Sequence, residues 1–406
     1  MGLGLLLLAS TGKENVITTK NPKITFFKKV YKKYNDFSFD SIPQYFKSTP
    51  NFGRRVTVNL SKSGDLINDI SLYVELPEIP FSNHSSLPDG IKKFAWVEKI
   101  GFALIKSIDI EIGGILINRH YNDWLNIYYE NNFLLDDIKN MIGYNVKILN
   151  EYSNGKSSYK LYIPIQFFFN LDFKFALPVI SITKQDIKIH LEFNDFNFCY
   201  KESPTNYFEI DSYNCLFEKN ELLKQSIDGV ISIGEFVYFD VNTRRVYYNK
   251  ILNDFLIPSS INNKYKIIGE SSLYEVLPKV NSIIVKDESY FFTNIPNFKD
   301  AFLIVNYIYL GSNERWYFLN NKLEYIVPLV QNVLEQTGTN INKNFKINFT
   351  NPHKILFWRC QMNFNKEINN HFNYNTYPLT EKEEPIIIEN KLMINSIPRI
   401  ETYNYE

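Results

Sequence analysis

Apolar and polar residues alternate with a period of two in stretch after stretch of the first half of this chain, the signature of strands that bury one face. The pattern runs through Val56, Val58 and Leu60, through Ile70, Leu72, Val74 and Leu76, through Ile108, Ile110 and Ile112, and through Ile187, Ile189, Leu191 and Phe193. Ser63-Gly64-Asp65 stands between the first two runs. Gly113-Gly114 follows the third, with apolar residues resuming at Ile115 and Ile117, so tight hairpins and antiparallel pairing are expected at both places. Tyr121, Trp124, Leu125 and Tyr128 take the spacing i, i+3, i+4 and i+7, which predicts a short amphipathic helix crossing one end of a sandwich. Residues 150–158, rich in Asn, Ser and Gly, read as a loop, and a strand resumes at 159–163.

The second half repeats the style. Strands are expected at 234–240, 280–286, 302–310, 345–349 and 386–394, and a helix at 314–327 with Trp316, Leu319, Leu323 and Ile326 on one face before Pro328. Many short strands with Gly, Pro and Asn turns, and no alternation of strand with helix, predict sandwiches rather than a parallel sheet. A length of 406 residues fits two such units, and the polar stretch at 215–225 is where they are expected to meet. With 45% hydrophobic and 22% charged residues the chain can bury sizeable cores.

Charge and motif content narrow the function classes. Lys plus Arg and Asp plus Glu balance at 44 each, so no overall positive field draws the chain to nucleic acid or an anionic membrane. The basic run Lys28, Lys29, Lys32 and Lys33 is the local exception and is read as a solvated face or partner contact. Cys199, Cys215 and Cys360 are too few and scattered for a disulfide framework or a paired-cysteine metal site, which points to a reducing compartment. Leu5 to Ala9 is apolar but lacks the charged flank and length of a signal segment, and is read as part of a packed N-terminal arm. The five histidines, His84, His120, His190, His353 and His371, never take the spacing of a helical zinc motif; His190 is expected to face solvent from its strand. Phosphate-loop, dinucleotide and nucleophile-elbow signatures are absent. The neighbouring acids Asp136-Asp137 and Glu383-Glu384 do not by themselves make a catalytic pair. Asn59, Asn83 and Asn348 head N-glycosylation sequons that are expected to go unused. The expectation is therefore no catalytic residue, no cofactor-binding residue and no metal ligand: not an enzyme.

Residues 21–34, NPKITFFKKVYKKY, resemble the NPQITFFKxVYRRY segment of the major capsid proteins of nucleocytoplasmic large DNA viruses. The resemblance continues through FSFDSI at 37–42 and NFGRRVTVNLSKSGDLINDI at 51–70, similar to the family's FAIESI and NFGRKVTxxIxRxGDLI. It extends through 163–193, with Ala176-Leu177-Pro178 in the expected place, and through VNYIYLGSNERWYF at 305–318, similar to VxYIYLDxxERRRF. Residues 323–331 and 351–358 also resemble family segments. The likeness is closest to capsid proteins of mimivirus-like giant viruses and spans nearly the whole chain. Departures fall at Gly311, at Trp316-Tyr317 and at Lys322-Leu323-Glu324-Tyr325, where the family has HEYL.

The resemblance implies an all-β fold of two tandem jelly-roll β-sandwiches, a double jelly roll, with short helices in the connections. Residues 1–24 would be an N-terminal arm, 25–217 the first jelly roll and 218–406 the second. Residues 390–406 resemble a region after which full-length members continue, so the last strands of the second jelly roll are expected to be missing. The implied function is a structural protein that self-assembles into trimeric, pseudo-hexagonal capsomers of an icosahedral shell. Its partners would be two further copies of itself, neighbouring capsomers and minor capsid proteins, with the inner membrane side contacted through other proteins and no direct nucleic-acid binding. The place would be the virion, after assembly in the host cytoplasm. The alternative is a divergent minor-capsid protein or a virion-surface jelly roll that binds a glycan or receptor. Gly53 and Gly64 are read as turn residues beside the strands, and the lysine run as part of an arm at the capsomer base.

Overall fold

A computed structural model of the chain describes residues 35–80, 93–132, 134–203, 206–218, 220–241, 243–282, 285–286, 292, 294–333, 344–376, 384–394 and 397–404. The lysine run, the Leu5 to Ala9 stretch, His84 and Asn83 lie outside them. In chain order the strands are β1 (Phe37–Gln44), β2 (Arg55–Asn59), β3 (Leu66–Leu76), β4 (Lys93–Trp96), β5 (Ile105–Ile112), β6 (Ile115–Tyr121), β7 (Tyr159–Pro164), β8 (Ile187–Phe193), β9 (Tyr200–Ser203), β10 (Asn206–Glu209), β11 (Leu222–Ile227), β12 (Val230–Asp240), β13 (Arg245–Leu252), β14 (Ile267–Gly269), β15 (Glu275–Val276), β16 (Val285–Lys286), β17 (Asp300–Leu310), β18 (Glu389–Ile394) and β19 (Ile397–Asn404). Helices α1 (Ile100–Leu104), α2 (Asn122–Asn131), α3 (Leu135–Ile142) and α4 (Lys147–Asn150) lie between β4 and β7, and α5 (Ser312–Asn320) follows β17.

Eight strands form two antiparallel sheets, one in the order β1-β17-β3-β7 and the other β2-β8-β5-β6. Their inner faces share one core. Along β8 the side chains of Ile187, Ile189, Leu191 and Phe193 are buried while Lys188, His190 and Glu192 stay half exposed, as period-two alternation requires. β3 adds Ile70, Leu72 and Val74, and β17 adds Leu303, Val305 and Tyr307. The helix expected near Tyr121 is α2, which buries Leu125, Asn126 and Tyr129 against this core.

The two glycine turns have different causes. Gly113 and Gly114, with φ of 60° and 85°, make the two-residue hairpin between β5 and β6, because a primed turn needs positive φ. Ser63-Gly64-Asp65 is not a hairpin: β2 pairs with β8 and β3 with β17 and β7, so this turn crosses from one sheet to the other. Gly64 answers to packing, since a Cβ there would lie 2.7 Å from Cβ of Tyr307.

The expected division at 217/218 does not follow the sheets. β17, in the half assigned to a second sandwich, lies between β1 and β3 of the first, paired from Phe37↔Leu310 to Gln44↔Leu303 on one side and from Asp300↔Glu75 to Ile308↔Leu66 on the other. Between β8 and β17 the chain builds a separate seven-stranded sheet, β15-β14-β11-β12-β13-β10-β16. Its own core holds Phe208, Leu223, Phe236, Val246, Tyr248 and Ile267. It docks on the sandwich where the Tyr152 hydroxyl donates to Glu235 at 3.0 Å and Lys93 Nζ stands 3.7 Å over the Tyr238 ring. Alternation identifies a strand and its buried face but not its partner, so the register of β17 could not be read locally.

Three further expectations are corrected. The helix expected at 314–327 is α5 and stops at Asn320, where the Asn320 and Asn321 amides bond back to the carbonyls of Trp316 and Tyr317 at 2.8 and 2.9 Å. It has no buried face; Trp316 is 65% exposed. Residues 345–349 form no strand. Within 280–286 the strand is Val285–Lys286, with 283–284 outside the described residues. Residues 321–333 and 344–362 run largely without strand pairing along the first sandwich, tied by Val330 N to Asn118 Oδ1 at 3.4 Å, Phe357 against Trp124 and the ion pair Arg359–Asp123.

The position of β17 gives a stability test. Leu303 is fully buried, so Leu303→Ala is expected to cost about 2–5 kcal/mol in urea unfolding. Leu273→Ala, at a side chain 75% exposed in the inserted sheet, should stay within about 0.5 kcal/mol. Equal effects from the two changes would contradict the pairing.

Candidate functional site

The residues with chemistry to offer are dispersed and mostly committed to structure. On the outer face of the β2-β8-β5-β6 sheet, His190 meets Thr57 Oγ1 at 2.8 Å and Glu111 Oε2 at 3.1 Å, and Lys188 reaches Glu111 at 3.2 Å. The bond from His190 and then that from Lys188 hold the Glu111 carboxyl below its ordinary range. Beside them Arg119 grips the buried Asp109 through two bonds of 2.7 Å. The outward position expected for His190 is the one found, in a row of cross-strand polar pairs.

His120 and His371 sit inside instead. His120 stacks on Phe167 at 5.2 Å, and among the described residues neither ring nitrogen has a hydrogen-bond partner; burial pushes its pKa down to about 4. His371 stacks on Phe198 at 3.5 Å and donates from Nε2 to that residue's carbonyl at 2.7 Å, and burial likewise lowers it to about 4. His353 is exposed beside Phe349. The three cysteines are free; burial raises the Cys199 thiol and, less completely, Cys215. Among the described residues no three His, Cys, Asp or Glu side chains converge as a metal site. Asp136 and Asp137 occupy the first turn of α3, where carboxylates suit the helix dipole. Asn59 and Asn348 are both exposed.

Two depressions mark the surface. One of about 350 Å³ is lined by Tyr45, Phe46, Pro50 and Phe298, and one of about 480 Å³ by Ile127, Phe357, Trp358 and Tyr374. The charged groups of the second already have partners, Arg359 with Asp123 and Glu130 with Lys99.

Among the described residues, the feature that stands unpartnered is an aromatic edge. β1 is the outermost strand of its sheet. Phe37 and Phe39 on it are 57% and 53% exposed, with centroids 5.4 Å apart, and Phe39 meets the equally open Phe173 at 5.9 Å. Gly311 N donates to Asp36 O at 3.1 Å, which brings α5 and its exposed Trp316 and Tyr317 to the same end of the sheet. A free strand edge bordered by exposed rings is a surface suited to another chain. Phe37 and Phe39 were legible as alternate residues of FSFDSI, but whether that face met core or solvent was not.

Residues 25–239 match the family model described as "Major capsid protein N-terminus". Probable capsid protein 4 of Acanthamoeba polyphaga mimivirus is 34% identical over 420 aligned residues, covering 98% of this chain and 82% of that protein. The major capsid protein of Pyramimonas orientalis virus is 37% identical over 207 residues, 48% of each chain. Among solved structures, the quasi-atomic capsid of PBCV-1 superposes with a TM-score of 0.56 at 19% identity, covering 94% of this chain and 74% of that one. The fold is thus that of the double jelly-roll capsid proteins, in the all-β class expected from the sequence. Among the described residues one eight-stranded sandwich is complete.

The buried histidines set a pH dependence. Burial keeps His120 and His371 neutral in the fold down to about pH 4, whereas the unfolded chain titrates near 6.5. The unfolded state binds more protons between those values, so stability is full above about pH 6.5 and falls as pH drops toward 4, by up to about 1.4 kcal/mol per pH unit for each histidine. Urea midpoints should therefore fall between about pH 7 and about pH 5, and His120→Phe should flatten part of that slope. A slope unchanged in His120→Phe would show that His120 titrates normally.

Proposed function

The chain belongs to the major capsid protein family of large DNA viruses, and we propose that it fulfils its structural role in the capsid as a self-associating trimer, the capsomer of an icosahedral shell. The observation that carries this reading is the aromatic edge at β1. Among the described residues Phe37, Phe39 and Phe173 leave large apolar area in water beside a row of unpaired backbone groups, an arrangement that a neighbouring copy would cover. Two sandwiches per chain would give a closed threefold ring a near-sixfold outline, which suits packing into a shell. The outer face of the β2-β8-β5-β6 sheet, with its satisfied ion pairs, suits a solvated or loosely contacted side.

Neighbouring capsomers and minor capsid proteins are the partners this reading implies, with assembly in the host cytoplasm. The capsid family is structural rather than enzymatic in general.

Light scattering on size-exclusion fractions tests the trimer directly. The expected mass is three times the 47.9 kDa of one chain. Burying a Phe side chain contributes about 1.5–3 kcal/mol, so the double change Phe37→Ser, Phe39→Ser should raise the concentration for half-dissociation by at least about tenfold. A wild-type chain that remains monomeric at every concentration would overturn this reading.

A further inference from the structure

Lys99 is held almost wholly out of water. Its side chain is 6% exposed, and the rings of Tyr144 and Phe372 stand 4.9 and 5.7 Å from Nζ. Its backbone, with φ of 52°, is the N-cap of α1 and aims the side chain at α2. Two α2 residues one turn apart receive it: Oδ1 of Asn126 at 2.7 Å and Oε1 of Glu130 at 2.6 Å. Asn126 is wholly buried, whereas Glu130 is 41% exposed and forms the outer wall of the site. The capsid role makes no use of this group.

We propose that Lys99 and Asn126 condense into an intramolecular isopeptide bond, with Glu130 carrying the protons. The third member, a wholly buried carboxamide whose oxygen stands 2.7 Å from Nζ, places an acyl carbon beside the amine.

Lysine is a nucleophile only when neutral. Transfer of a proton from Nζ to Oε1 of Glu130, 2.6 Å away, frees the lone pair. The Nζ lone pair then attacks Cγ of Asn126, and the carbonyl π pair moves onto Oδ1. Glu130 gives its proton to Nδ2, the pair on Oδ1 re-forms the carbonyl as the Cγ–Nδ2 bond breaks with its electrons on nitrogen, and ammonia leaves past the exposed carboxyl. The surplus proton on Nζ returns to Glu130. An amine and a carboxamide become a secondary amide and ammonia, with no oxidant or reductant. Fixed proximity supplies the high effective concentration such a step needs. The product would join the start of α1 to α2 and lock the helical end of the sandwich.

Intact-mass spectrometry of the full chain, followed by proteolysis, tests the proposal. The expected product is about 17 Da lighter than the sequence mass, with the peptide carrying Lys99 joined to the one carrying Asn126 and no tryptic cut after Lys99. Glu130→Gln, shown by circular dichroism to fold, should keep the full mass and the cut. Folded wild-type chain that retains the full mass after long incubation at about pH 8 would overturn the bond. So would a 17 Da loss confined to one peptide, which marks a succinimide at an asparagine. A cross-link that persists in Glu130→Gln would overturn the role given to the carboxylate.

Discussion

The pairing of β17 between β1 and β3 is the interaction on which the first sandwich depends. Without it β1 and β3 each face a missing neighbour, and Leu303, Val305 and Tyr307 leave the shared core. The C-terminal end of the strand is fastened by groups from the turn between β2 and β3. The Tyr307 hydroxyl donates to Ser61 O at 2.6 Å, and the buried Asp65 accepts from Leu310 N at 2.8 Å and meets Arg315 at 3.3 Å. Gly64 is part of the same arrangement, because only a residue without Cβ lets the turn approach Tyr307. The segment NFGRRVTVNLSKSGDL is thus read best as one face of a contact whose other face is more than two hundred residues away in the chain.

That separation explains the inserted sheet. The insertion leaves the sandwich at Phe193 and returns near Phe298, and those rings lie 5.1 Å apart. A unit whose two ends meet can be added to a sandwich without disturbing its sheets, and longer connections add little closure entropy. The kinetic consequence is larger than the thermodynamic one, since β17 cannot reward the sheet until the chain has closed a long loop.

Much of the first sandwich was legible because its strands are half buried, and half burial writes itself as alternation; β2, β3, β5 and β8 all appear where their patterns stand. What failed was pairing and context. The periodicity of Trp316, Leu319, Leu323 and Ile326 is helical, yet nothing packs beneath it, and the two asparagines end the helix first. Phe345 and Ile347 alternate as a strand would, but no described neighbour supplies a ladder. The candidate surface was half legible: FSFDSI announced two aromatic residues on one face, while whether that face meets core or solvent is set by what packs over the sheet. Lys99 carried no local sign of burial, because the rings around it come from Tyr144, just past α3, and from Phe372.

The central claim is that 300–310 is a strand of the first sandwich and not part of a later unit. Native-state hydrogen exchange, resolved by peptide, tests it most directly. Amides of 301–309 should exchange as slowly as those of 67–75 in β3 and should open together with them as denaturant is added. Exchange of 301–309 at the rate of the inserted sheet, independent of β3, would contradict the account.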